Sequence, residues 1–373
     1  MNHRVFAAFV LVVACRTAAF ADRPDDTDEF AEALIAQGWP DLAEDVLARA
    51  SRERALEWRE EAIVESARLA KLQITAAAIA DPYWRKEALL DLLGQTDTFV
   101  GRFEGTSAAE KRKSELPDLF AEIGDAILAA IRKSQVAGAT ETLQVQGEAL
   151  FVRAQKETKA RIDLLAAVEE RDEDQEWRFE GARFSHARLV YLHALVFPRD
   201  SERRKELCTA ALAEYEEFDL EFTDTIFNVY AWVDSGLCLW ELGKTDAALA
   251  KFDQAIGTRE SWGAADQAGV WPVPEDAADI ADIIGYAMLQ KMVLLRELER
   301  PKDVVAAGKD WFASMKAPFA PSSSMLLAKV LAEAQAATGD VKGAVATAQS
   351  MIREDPDGWG GSVGRELLAW IAH

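Results

Sequence analysis

Two histidines, His186 and His193, are the first candidates for chemistry in this 373-residue chain. Imidazole acts as a general base and as a zinc ligand, so two of them on one helix suggest either chemistry. Their separation is seven residues, whereas helices of metalloproteases hold zinc with histidines at i and i+4, and no His-Glu-x-x-His motif occurs. The spacing favours a groove lining or an interior histidine. We predict no metal site and no cofactor.

The second candidate is the segment 360–364, which matches the Gly-x-Ser-x-Gly pattern of hydrolase nucleophile elbows. That motif works when a strand leads into the turn and exposes the serine above a sheet. Here an Asp-Pro-Asp-Gly run precedes it, and no stretch of the chain alternates convincingly with period two. We interpret the glycines as the end of one helix and Ser362 as the cap of the last one. No catalytic residue is predicted.

The remaining chemical motifs are weaker. Cys208 and Cys238 fall on neighbouring predicted helices, so a disulfide is one interpretation and two buried free thiols another. No Cys-x-x-Cys motif, phosphate-binding loop or dinucleotide fingerprint is present. The 64 acidic residues could supply the two carboxylates of a glycosidase, but spacing in sequence does not select a pair.

The elements that must position these residues are all predicted to be helices. A helix is predicted to open at Pro82 and end near Leu93, followed by a connection with a short helix at 96–114. A further helix is expected at 117–131, and one long helix at 140–171. The most regular stretch is 229–260, where two helical patterns are joined by Leu242-Gly243-Lys244.

Small and bulky residues recur at i, i+4 and i+7 on both helices of this stretch. They are Trp232, Gly236 and Leu239 on the first, and Ala248, Phe252 and Ala255 on the second. A small residue opposite a bulky one lets antiparallel helices approach closely. The pattern resembles the tetratricopeptide (TPR) repeat, a helix–turn–helix unit of 34 residues. A second recognisable repeat spans 325–355, and the others are more degenerate.

The resemblance implies an all-α, superhelical solenoid of antiparallel helix pairs built from degenerate TPR-like repeats. We predict a signal peptide at 1–21, an N-terminal helical repeat region at 22–95 and a less regular helical region at 96–171. A TPR-like solenoid with a terminal capping helix is predicted at 172–373.

The resemblance also implies an inner groove, lined by first-helix residues that do not pack on the second helix. In the best repeat these partner-binding candidates are Tyr230, Val233, Leu237, Trp240 and Glu241. Alternatively, the solenoid covers this strip with its own neighbours, including the segment that carries Trp262 and Trp271. The equivalent strip of the later repeat is smaller and more polar, with Leu326, Lys329, Glu333, Ala336 and Ala337.

The N-terminus has the pattern of an export signal. A basic start with Arg4 precedes an apolar run at 5–14, and Ala19-Phe20-Ala21 is a small-x-small cleavage site. The run is about half of the ~20 residues that span a bilayer. Alternatively, the lipobox-like Val-Val-Ala-Cys sequence ending at Cys15 makes this cysteine a lipidation site. We expect a periplasmic or cell-envelope protein, with lipid-anchored or secreted forms as alternatives, and no membrane span.

The formal net charge of −22 disfavours nucleic-acid partners, because acidic surfaces repel phosphate backbones. The leading functional interpretation is an exported, non-catalytic scaffold that binds a protein or peptide. The alternative is an all-helical envelope enzyme that acts on glycan or peptidoglycan through a carboxylate-lined groove. The sequence does not specify an oligomeric state.

Overall fold

A computed structural model describes residues 30–31, 33–34, 39–53, 56–134, 137–223, 225–258, 274–314 and 323–372. Within these ranges the structure delimits fourteen helices and contains no strand, and most helices pack on the next one in the chain. The prediction of an all-α solenoid of helix pairs is confirmed. The predicted leader with Cys15 and the segment with Trp262 and Trp271 lie outside the described residues. Among those described, no helix combines the length and the apolar composition that crossing a membrane requires.

The chain divides into two compact units, Met1–Glu157 and Thr158–His373. The helices that begin in the first unit are α1 (Pro40–Glu53), α2 (Trp58–Ala77), α3 (Pro82–Arg102), α4 (Ser107–Lys133) and α5 (Ala137–Ala166). Those of the second unit are α6 (Glu173–Leu195), α7 (Glu202–Glu221), α8 (Ile226–Glu241), α9 (Thr245–Gly257), α10 (Pro274–Glu297), α11 (Pro301–Ser314), α12 (Ser324–Ala337), α13 (Val341–Glu354) and α14 (Trp359–Ile371).

The first unit corrects two predicted helix boundaries. Helix α3 continues past Leu93 because Phe99 and Phe103, one turn apart, are both buried in the core. The chain turns only at Gly105, whose φ of 82° is a conformation that glycine adopts without strain. Residues 96–114 are therefore the end of one long helix and the start of the next, and the predicted connection there is wrong.

Helix α4 contains Pro117 instead of beginning with it. The turns before the proline are held by Arg112, a buried side chain that donates to the backbone oxygen and the hydroxyl of Ser66. Its guanidinium also lies 2.9 Å from Glu115. These contacts, with the burial of Ala108 and Ala109, offset the backbone hydrogen bond that a proline removes.

The second unit repeats one packing pattern. Helices α6, α8, α10, α12 and α14 form a series in which each contacts the one after it, and α8, α10 and α12 also contact both helices adjacent to them in sequence. In the α8–α9 pair, a Cβ atom on Gly236 would lie 2.6 Å from the ring of Phe252, so the small residue is required for the approach. Glycines with positive φ make the turns at Gly243 and Gly339, and Glu299 has a φ of 55° in the α10–α11 turn. The repeat signature thus predicts the close contact correctly.

The last helix begins earlier than predicted. Its N-cap is Gly358, and Ser362 lies inside the helix, so the prediction that Ser362 caps it is wrong. The Asp355 carboxylate takes over capping, because its Oδ2 accepts from the Gly360 N–H at 2.8 Å. A Cβ on Gly364 would lie 2.7 Å from the Ala348 carbonyl oxygen, so this glycine lets α14 lie against α13. The Gly-x-Ser-x-Gly segment is therefore a helix-packing sequence.

Candidate functional site

The predicted strip on α8 is largely inside the core of the second unit. Val233 and Leu237 are buried there, and Tyr230 is half-buried against the same core. Trp240, also half-buried, and Glu241 lie at the C-terminal end of α8, where the strip reaches the surface. Neighbouring helices of the chain thus cover most of the strip, and partner binding by these five residues stays a prediction.

The two histidines do not form a joint site. His186 Nδ1 lies 2.6 Å from Glu214 Oε2 on α7. His193 is buried with its ring centroid 5.6 Å from that of Phe197. Burial, aided by the positive charge of Arg203, lowers the pKa of His193 to about 4. Among the described residues, no group of three or more His, Cys, Asp or Glu side chains could hold a metal ion.

Cys208 on α7 and Cys238 on α8 are fully buried free thiols in this structure. Burial raises the pKa of the Cys238 thiol well above its usual range, and its hydrogen bond with Cys208 raises it further. The two thiols are therefore neighbours across the α7–α8 contact. A disulfide between them stays a prediction.

A groove of about 740 Å³ lies between the α10–α11 turn, α12 and α14. Its lining residues are Arg296, Glu299, Pro301, Val304, Lys329, Glu333, Ala334, Ala337, Val363, Glu366, Leu367 and Trp370. The apolar residues form most of its surface, and the indole of Trp370 stands 55% exposed at the edge. The small side chains of Ala334 and Ala337 on α12 leave a space that the side chains of the α10–α11 turn and of α14 do not fill.

Three of the five residues predicted for the later repeat, Lys329, Glu333 and Ala337, line this groove. The TPR resemblance did not predict that α14 lines the groove, because α14 was interpreted as a terminal capping helix and not as the first helix of a repeat. A signal for it was present in the sequence. Val363, Leu367 and Trp370 recur at i, i+4 and i+7, as one face of an amphipathic helix.

The charges of the groove are distributed unevenly. Glu333 forms ion pairs with Arg296 at 2.9 Å and with Lys329 at 3.9 Å, so two cations share one carboxylate. Glu299 and Glu366 make no ion pair within the part of the chain that the structure describes. The groove therefore offers an apolar surface with two carboxylates outside these ion pairs, and its three carboxylates exceed its two cations by one charge.

Comparisons with known proteins add no family. No protein-family profile matches the chain, and no curated protein matches it. Among solved structures, the crystal structure of BtubC (BKLC) from P. vanneervenii is similar, with 16% identity over 78% of this chain and 93% of that one, at a TM-score of 0.41. The assembly chaperone of RpL4 (Acl4, residues 1–338) has 14% identity over 86% and 98%, also at 0.41. At these scores neither likeness carries an argument about function.

Proposed function

We propose that this chain is an exported, non-catalytic scaffold that binds a segment of a partner protein in the groove between α10, α12 and α14. The observation that carries this proposal is the apolar lining of a groove of about 740 Å³ with an exposed indole beside it. Exposed tryptophans next to apolar clefts supply much of the binding energy in protein interfaces. The pattern of the N-terminal 21 residues supports export.

The chemistry of the groove favours a basic, amphipathic partner segment. Apolar side chains of the partner would cover Ala334, Ala337 and Leu367, and lysines or arginines would lie near Glu299 and Glu366. The net charge of −22 favours the approach of a basic segment over long distances as well.

A site-specific photo-crosslinker tests where the partner binds. We would place p-benzoylphenylalanine at Ala337, which is exposed on the groove surface, and at Glu216, exposed on α7 outside the groove. The proposal expects a protein crosslinked in the cell envelope from position 337 and not from position 216. Equal capture at both positions, or retained glycan without any crosslinked protein, would contradict it, and the second result would support the glycan-processing alternative.

Replacing Trp370 with alanine should weaken binding of the partner protein about tenfold, because the truncation removes a large apolar contact at the groove edge. The partner in this measurement is the protein identified by crosslinking, purified separately without the crosslink. Titration calorimetry would measure the dissociation constants. The matched control is Trp359→Ala, which removes a 51% exposed indole from the same helix but outside the groove. Similar losses in the two variants would show that the indole acts through the stability of α14 and would overturn the groove assignment.

A further inference from the structure

Two carboxylates stand at helix ends that disfavour negative charge. Glu241 is the last residue of α8, and Glu297 is the last residue of α10. The C-terminus of a helix carries partial negative charge, so cations stabilise it and carboxylates do not. No basic residue lies in the last turn of α8, and the one in the last turn of α10, Arg296, is paired with Glu333. The negative potential at this place therefore has to be compensated by cations from elsewhere.

These carboxylates lie in a pocket of about 350 Å³ at the ends of α8 and α10. The pocket is lined by Arg199, Asp200, Lys205, Trp240, Glu241, Leu242, Gly243, Thr245, Leu294, Glu297 and Leu298. The indole N–H of Trp240 donates to Glu297 Oε2 at 3.2 Å, which fixes the ring and the carboxylate relative to each other. An indole face beside two carboxylates is an arrangement that binds a guanidinium group well.

A guanidinium group from the chain itself occupies this arrangement. The Arg199 Cζ lies 5.7 Å from the centroid of the Trp240 ring, and its nitrogens lie 3.5 Å from Glu297 and 3.7 Å from Glu241. These ion-pair distances exceed the ~2.7–2.9 Å of a charge-assisted hydrogen bond. The side chain is 50% exposed and comes from the α6–α7 connection. Arg199 is therefore held loosely.

A second arginine beside the pocket has the opposite character. Arg204 Nε lies 2.9 Å from Glu241, with both side chains mostly buried, and Arg204 Nη1 donates to the Phe197 carbonyl oxygen. This pair ties α7 to α8 and contributes to the fold. The contact compensates charge without hydrogen-bond geometry, because neither Arg204 Nε nor Glu241 Oε2 has a hydrogen-bond partner among the described residues. Glu241 can therefore still accept from a further donor, and Glu297 and the Trp240 face depend on the exposed Arg199 for a cation.

We propose that Trp240, Glu241 and Glu297 form a binding site for an arginine side chain of the partner protein, and that Arg199 occupies this site until the partner's arginine replaces it. The inference deepens the proposed function and rests on it for the source of the arginine. Adjacent residues connect the two places: Arg296 lines the groove and Glu297 lines the pocket. The internal Arg199 lowers the fraction of binding-competent sites and so weakens the apparent affinity.

The arginine analogue N-acetyl-arginine amide tests the site without any partner. Fluorine NMR of 5-fluorotryptophan-labelled full chain would report binding through the Trp240 signal, identified by its loss in Trp240→Phe. The Arg199→Ala variant should bind the probe about tenfold more tightly than the unsubstituted chain, a change that corresponds to about 1.4 kcal/mol. Arg203→Ala removes the same charge from an exposed position outside the pocket and should leave the affinity unchanged.

A second variant distinguishes binding at this pocket from nonspecific electrostatic attraction of the cationic probe to an acidic protein. In the Arg199→Ala background, Glu297→Gln keeps an acceptor for the Trp240 N–H but removes the charge, and should weaken probe binding about tenfold again. The uncharged N-acetyl-citrulline amide should not shift the Trp240 signal. Equal affinities of the unsubstituted and Arg199→Ala chains, or no effect of Glu297→Gln, would overturn the inference. Either failure would leave the crosslinking result at Ala337 intact, so the two proposals fail separately.

Discussion

Replacing Gly236 with alanine is expected to lower the free energy of unfolding by about 2–3 kcal/mol. The added Cβ would lie 2.6, 2.8 and 3.1 Å from three atoms of the Phe252 ring, which is fully buried and cannot move aside cheaply. Alanine has a better helix propensity than glycine, by about 1 kcal/mol, so the cost of overpacking has to exceed this gain for the variant to be less stable. Urea denaturation followed by circular dichroism measures the difference.

Gly257→Ala is the matched control for this change. Gly257 ends α9, the partner helix of the same pair, and a Cβ there would meet no atom within 4 Å. This variant should be as stable as the unsubstituted chain or slightly more stable. Adding Phe252→Leu to Gly236→Ala should cost less than the sum of the single changes, because the smaller side chain makes room for the methyl group. Additive costs, or a stable Gly236→Ala variant, would contradict the proposed helix contact.

Acidification is expected to destabilise the second unit through His193. Its pKa is about 4 in the folded chain, against an ordinary value of 6.5. Between these values the unfolded chain binds a proton that the folded chain does not, so the free energy of unfolding falls as the pH falls from about 6.5 to 4. The contribution of this one side chain over that range is about 3 kcal/mol. Urea titrations at a series of pH values would measure it.

Two substitutions isolate the histidine from the many carboxylates that titrate in the same range. His193→Leu should flatten the dependence of unfolding free energy on pH between about 4 and 6.5. Phe197→Leu changes the ring packed against His193 without adding or removing an ionisable group, and should retain the steep dependence of the unsubstituted chain. A His193→Leu variant with an unchanged slope would show that the buried imidazole is not the responsible group.

The groove and the arginine pocket divide the proposed recognition into two kinds of contact. The groove supplies apolar surface from α12 and α14, and the pocket supplies charge and an indole face from the ends of α8 and α10. Apolar burial gives affinity, whereas a guanidinium held between two carboxylates gives specificity for arginine over a neutral side chain. Helix α10 is the element common to both, through the adjacent Arg296 and Glu297.

The sequence predicted parts of the fold unequally. Where small and bulky residues alternate at helical spacing, as at Gly236 and Phe252, the helix contact followed directly from the residue types. In the first unit the boundaries were misplaced, because Gly101 and Pro117 suggest breaks when only local propensity is considered. The burial of Phe103 and Arg112 overrides that propensity, and burial depends on residues far away in the sequence.

The same limit of prediction from local sequence patterns applies to the candidate site. On α12, three of the five predicted positions, Lys329, Glu333 and Ala337, line the groove, and partner binding there stays a prediction. On α8 the same positions include Val233 and Leu237, which neighbouring helices bury. A helical pattern states which residues share a face. It does not state how closely the next helix in the stack covers that face.

The sequence by itself therefore determined the helical class, the close α8–α9 contact and the acidic character of the surface, because these depend on residue type and local spacing. Only the tertiary structure decided which faces stay open and which charges lie together. Arg199, Trp240 and Glu297 are separated by tens of residues in the chain, yet they meet at one pocket because α6, α8 and α10 stack side by side. They are close together because the helices beside them are neighbours in the stack, and local sequence patterns do not encode which helices are neighbours.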